Sequence, residues 1–162
     1  MRRPFLAALP VLALSAAVQA QARPAVESIT LATGACLGTC PVYQVTVRAD
    51  GTGVFTGERY TAVQGERRFR ITRAQYRAFA AHLAPIRPHT GSINYADAAH
   101  CGDEATDLPG SSVVWQAGRR RQTLAFYSGC MNPQLRPIGQ RLGTAFGLLP
   151  IADFIGPRPS RR

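Results

Sequence analysis

Lysine is absent from this chain: all 19 basic side chains are arginine, set against nine carboxylates, for a formal charge of +10 at pH 7. A charge of that sign favours anionic partners, but the arginines are scattered along the sequence, as on an ordinary solvated surface. Beyond the first twenty residues no apolar run reaches the length needed to cross a bilayer, so no transmembrane span is expected in the rest of the chain. The chain has no G-x-S-x-G, no H-E-x-x-H and no phosphate-cradling glycine loop. Their absence removes the best-marked hydrolase, metalloprotease and nucleotide-dependent classes. Histidine is scarce, limited to His82, His89 and His100.

What is present begins with an export signal. Arg2 and Arg3 precede an apolar stretch from Phe5 to Val18, and Val18-Gln19-Ala20 supplies small residues at a cleavage position. Cleavage near Ala20 would leave a lead-in at residues 21–27, one domain over 28–150 and a basic, disordered tail over 151–162. No cysteine sits at the cleavage point, which argues against a lipid anchor. The expected location is periplasmic or secreted, and export argues against nucleic acid as a partner.

Alternating segments predict strands at Ser28–Thr33, Val42–Ala49, Thr52–Glu58, Glu66–Ile71, Ser111–Gln116 and Arg119–Tyr127. Asp50-Gly51 reads as a type I′ hairpin turn. Thr72-Arg73-Ala74-Gln75 forms a capping box, and Tyr76, Phe79, Ala80 and Leu83 make one buried helical stripe ended by Pro85. A second helix follows Pro133, with Leu135, Ile138, Leu142, Ala145, Phe146 and Leu149 inward. Residues 88–109 read as a long connection. The order ββββαββα implies an α+β domain, with an antiparallel sheet of about six strands and two helices on one face.

Four cysteines carry the sharpest chemical signal. In an exported chain they can pair fully, in three connectivities. The favoured set is Cys36–Cys40, a tiny loop eased by Gly38, with Cys101–Cys130, which ties the long connection to the end of the last strand. Crossed pairings remain open. The rival use is a functional dithiol. Cys36-x3-Cys40-Pro41 resembles the copper-binding motif of Sco-type assembly factors, and that resemblance implies Cu(I) on Cys36 and Cys40 with a histidine, His100 among the candidates. Here, however, the motif leads straight into a strand and hairpin. Asp97, Asp103, Glu104 and Asp107 could hold a divalent ion, but they lack the spacing of a calcium loop or zinc site and fit an acidic surface loop.

Cys36-x-Gly38-x-Cys40-Pro41-Val42-Tyr43, then Asp50-Gly51, Gly57 and Gly65, is similar to the bacterial domain-of-unknown-function family DUF6438. Thr106-Asp107-Leu108-Pro109, Tyr127-x-Gly129-Cys130 and Pro133 fit as well. The resemblance implies a small exported protein and supplies no catalytic residues. The functional expectation is a non-catalytic, disulfide-stabilised binding or structural domain of the envelope. It carries no cofactor and acts on an unidentified envelope component, for which anionic chemistry is the candidate class. The alternative is a thiol-based copper or redox protein using Cys36 and Cys40.

Overall fold

The computed structural model describes residues 25–157. The expected signal peptide (1–20), the start of the lead-in and the last five residues lie outside that range. The fold is α+β, with one seven-stranded sheet in the order β4-β3-β2-β1-β6-β7-β5. The strands are β1 (Ser28–Thr33), β2 (Val42–Arg48), β3 (Thr52–Arg59), β4 (Gly65–Arg70), β5 (Ser92–Tyr95), β6 (Gly110–Ala117) and β7 (Arg120–Tyr127).

Two-residue alternation decides which face is buried. Ile29 and Leu31, Tyr43, Val45 and Val47, Phe55, Val113 and Trp115, and Leu124 and Phe126 all point one way. Against them pack α1 (Arg73–Leu83), through Tyr76, Phe79 and Leu83, and α3 (Arg136–Ala145), through Leu142 and Ala145. The capping box at Thr72 is formed: Gln75 N–H donates to the Thr72 hydroxyl at 3.1 Å, and Thr72 N–H donates to the Gln75 side chain at 2.8 Å. The opposite face of the sheet carries Thr30, Thr46, Thr52, Thr56 and Thr123 among its residues, and the core does not extend to it.

Several expectations need correction. The sheet has seven strands and is mixed, because β5 runs parallel to β7 inside what reads as a connection. Its four residues, Ser-Ile-Asn-Tyr, offer only two apolar side chains, so pairing with β7 defines this strand more than its own pattern does. Two four-residue helices are added, α2 (Ala98–Cys101) and α4 (Ala152–Ile155). The turn after β2 is not type I′: Gly51 alone has positive φ (+85°), and its N–H donates to Arg48 O at 3.0 Å. That is a three-residue connection, in which Asp50 instead accepts the Thr52 N–H and hydroxyl at 2.9 and 2.6 Å. The tail does not begin at residue 151. Ile151 is fully buried, and the Phe154 ring lies 5.6 Å from Phe55 and 6.0 Å from Phe69. The β3–β4 loop fastens this segment by donating Ala62 N–H to Ile155 O and Val63 N–H to Phe154 O. Gly57 permits that loop's path, since a Cβ there would lie 2.0 Å from the Val63 carbonyl oxygen.

One polar network sits at the margin of the core. Arg87 pairs with Glu27 at 2.8 Å, donates to the Gln122 side-chain oxygen at 2.9 Å, and lies 5.7 Å over the Trp115 ring. The buried Gln122 amide donates to the Pro88 and His89 carbonyls, which leaves no stranded polar atom there. The Tyr76 hydroxyl donates to Glu27 at 3.1 Å. Burial, and then the Glu27 charge, push the Tyr76 phenol well above its usual range. The folded state therefore holds this proton after the unfolded chain has released it. The contribution is intact below about pH 10 and shrinks as pH rises beyond it. Tyr76→Phe should cost about 1 kcal/mol at neutral pH. It should also flatten the fall in urea midpoint between pH 8 and pH 11, and an unchanged alkaline fall would exclude Tyr76 as its source.

Candidate binding cleft

The segment Cys36–Pro41 leaves β1 and returns as β2. Its two sulfurs are bonded, with the Cα atoms 5.8 Å apart, and Gly38 takes φ +119° in the short loop between them. Gly34 N–H donates to Gly110 O at 2.7 Å and Leu37 N–H to Asp107 O at 3.1 Å, so the loop is laced to the segment that leads into β6. Thr33 orients the exit: its hydroxyl donates to Pro41 O at 2.8 Å and accepts the Tyr43 N–H at 3.3 Å. Tyr43 then points to the helix side, where its ring stands 5.2 Å from Phe55 and edge-on to Phe146 at 5.1 Å.

The second disulfide, Cys101–Cys130, has Cα atoms 5.0 Å apart, and Cys101 is fully buried. Around it Ala105 N–H donates to Gly129 O at 2.8 Å, Met131 N–H to Asp103 O at 3.0 Å, and the Asn132 amide to His100 O at 2.8 Å. The Tyr127 hydroxyl donates to Ala105 O at 2.9 Å and accepts Leu108 N–H at 3.3 Å. Ser128 N–H donates to Pro109 O at 3.1 Å. These contacts close the second half of the long connection onto the end of β7.

Where the two stapled regions face α3 and α4, a cleft of about 770 Å³ opens. Cys40, Pro41 and Tyr43 form one wall; Pro109, Ser111 and Ser128 form a second; Phe146, Leu149 and Ile155 close the third. Thr33 and Thr144 bring the hydroxyl-bearing side chains on its lining to five, with Tyr43, Ser111 and Ser128, and no charged side chain lines it. Sequence reasoning singled out the first wall as a disulfide motif and missed the cleft. The signal for it was spread over three segments that only the fold brings together.

The other candidates do not assemble a site. Both Cys36 and Cys40 are consumed in a disulfide, leaving neither as the thiolate that Cu(I) would need. His100 is occupied in α2, where its Nδ1 lies 2.7 Å from Asp97. Among the described residues no three His, Cys, Asp or Glu side chains are grouped to hold a metal ion. The structure therefore lends the copper alternative on Cys36, Cys40 and His100 no support. Asp97 is the N-cap of α2, held below the usual carboxylate range by the His100 side chain and then by its backbone N–H. Asp107 is spent locally, accepting from the Thr106 hydroxyl at 3.2 Å.

Nor does the cleft hold a nucleophile with a base. Thr144 Oγ1 lies 3.1 Å from His82 Nε2, but that nitrogen also faces the Arg141 carbonyl at 2.9 Å. A carbonyl only accepts, so Nε2 carries the proton and cannot take one from Thr144. The Thr144 hydroxyl is itself within 2.9 Å of Gln140 O, a helical back-bond.

No helix among the described residues is long and apolar enough to cross a membrane. A family model described as a domain of unknown function, DUF6438, matches residues 27–145. No curated protein and no solved structure gives a significant match to the chain.

Proposed function

The chain belongs to the DUF6438 family, and from that premise and the cleft we propose a non-catalytic binding domain that works outside the cytoplasm on an uncharged ligand. The observation that carries the reading is convergence. Cys40, Pro41 and Tyr43, then Pro109, then Ser128 come from three separate segments of the family-like sequence and line one cleft. Its volume lies within the range of small-molecule sites, about 300–1,000 Å³. Apolar walls supply affinity and a few hydroxyls supply orientation. A charged ligand would lose hydration there with no opposite charge to replace it. An amphiphile with an apolar part and neutral hydroxyl groups fits best. Two disulfides favour an oxidising compartment, in keeping with the expected export signal.

Gly143 offers a clean test. It lines the cleft from α3, and a Cβ at this position would meet nothing within 4 Å. Gly143→Leu should fill the cleft while gaining up to about 1 kcal/mol of helix propensity. Octyl glucoside, titrated below its micelle concentration and followed by NMR shifts, should bind the native protein. Binding should weaken at least tenfold in Gly143→Leu while the melting temperature holds or rises. Unaltered binding in the variant, or none in the native protein, would remove the cleft from consideration.

A further inference from the structure

The open face of the sheet carries a feature that the scattered arginines do not reveal. Arg70 in β4 pairs with Thr52 in β3. Continuing the Val47–Gly53 register, Thr52 faces Arg48 in β2. Arg48 pairs with Ser28, Ser28 with Gln116, and Gln116 with Arg121 in β7. One row of six residues therefore crosses six strands, with arginines first, third and last. Each points away from the core, since Val47, Phe69 and Gln122 beside them face the helices, and all three arginines are exposed. The row contains no carboxylate. Asp50, in the adjoining turn, is committed to Thr52, and its carboxyl is held below the usual range first by that hydrogen bonding and further by the charges of Arg48 and Arg70. In the next row Arg68 is paired with Glu66 at 3.1 Å.

Spacing and shape narrow the ligand. Strands lie about 4.8 Å apart, so Arg70 and Arg48 stand roughly 10 Å apart, and Arg48 and Arg121 roughly 14 Å. The side chains of Arg70 and Arg48 can lean together, but the two ends of the row, Arg70 and Arg121, stand roughly 24 Å apart, beyond the reach of one phosphate or sulfate, so a ligand that engages all three must present negative charge repeatedly. Sheet twist of about 20–25° per strand turns the ends of the row by roughly 100°. A flat bilayer cannot meet all three arginines, whereas a flexible polymer can follow the twist. Between the arginines lie Thr52, Ser28 and Gln116; the Thr52 hydroxyl donates to Asp50 and the Gln116 amide to Gly118 O, which leaves the Ser28 hydroxyl and the Gln116 side-chain oxygen to meet sugar hydroxyls. The row has no aromatic side chain on which a base could stack, which is the main sequence-tolerant grip on single-stranded nucleic acid. We propose that the row Arg70–Thr52–Arg48–Ser28–Gln116–Arg121 is a docking track for a linear acidic polysaccharide. The track lies on the face opposite the core and does not depend on the cleft.

The test uses the full mature chain, with polygalacturonate as the carboxylate glycan and heparin as the sulfated one. Both should bind, with affinity falling steeply as salt rises. The triple variant Arg48→Gln, Arg70→Gln, Arg121→Gln should lose at least tenfold in affinity and show a flatter salt dependence. A charge-matched control, Arg73→Gln, Arg77→Gln, Arg136→Gln on the helix layer, should stay within about twofold of native. All six positions are exposed, and surface substitutions of this kind seldom matter to stability, so both variants should melt with the native protein. Equal losses in the two triples would mean that net charge alone binds, and would overturn the track. So would failure of both glycans to bind the native protein. Tighter binding of anionic vesicles or single-stranded DNA than of either glycan would overturn the polysaccharide assignment.

Discussion

Replacing Trp115 by alanine is expected to lower the stability of the fold by about 4 kcal/mol, a large part of the whole for a domain of this size. The ring is 1% exposed and sits mid-sheet on β6, with Ile29 of β1 and Gln122 of β7 as its cross-strand neighbours. Alanine would forfeit the transfer energy of the indole and leave a cavity that a sheet paired on both sides cannot close. A second loss adds to it. The Arg87 guanidinium rests over the indole while holding Glu27 and Gln122, and without that surface the half-buried pair is less well fixed. Trp115→Phe should recover more than half of the loss, because it restores most of the volume. Urea denaturation followed by circular dichroism decides the matter. A cost below about 2 kcal/mol for alanine would mean that the core closes over the site.

The second large effect concerns the two disulfides, which should differ in worth. On the chain-entropy account, Cys101–Cys130, separated by 29 residues, should contribute about 3.5 kcal/mol, and Cys36–Cys40, separated by four, about 2 kcal/mol. Accessibility should differ in the same sense. Cys101 is fully buried, whereas the Cys36 loop carries Leu37 at 78% exposure between its half-buried cysteines. Mild reductant should therefore open Cys36–Cys40 first, with little change in far-ultraviolet signal. Paired Cys→Ala variants compared by thermal melting would show the ranking. A larger penalty for losing Cys36–Cys40 would indicate that it fixes the cleft wall through enthalpy and not through loop closure.

Much of this fold was legible because local pattern and tertiary demand agree. The alternation in Val42–Arg48 has Tyr43, Val45 and Val47 inward, and the Thr72 capping box starts α1 where the sequence says it should. β5 was illegible because a four-residue parallel edge strand has no period of its own to display; it exists because β7 offers it a ladder. The segment after Pro150 was misread for the opposite reason. Its basic end suggested solvent, while Ile151 and Phe154 supplied the apolar surface that Phe55 and Phe69 lacked. The cleft and the arginine row share one cause of concealment. Each is assembled from residues far apart in the chain, and strand register, which places Arg48 level with Arg70 and Arg121, is set by pairing across the whole sheet. Composition reports how many arginines there are, and only topology reports that three of them are level.

The connectivity of the cysteines has a consequence for how the chain acquires them. The bonds join first to second and third to fourth in order along the sequence. A chain that enters an oxidising compartment amino terminus first presents Cys36 and Cys40 together, with no other cysteine yet available to compete. By the time Cys101 arrives both are occupied, and its next arrival is Cys130. At every step the earliest possible partner is the right one, so no bond has to be undone, and the slow exchange that crossed connectivities require is bypassed by order of appearance alone.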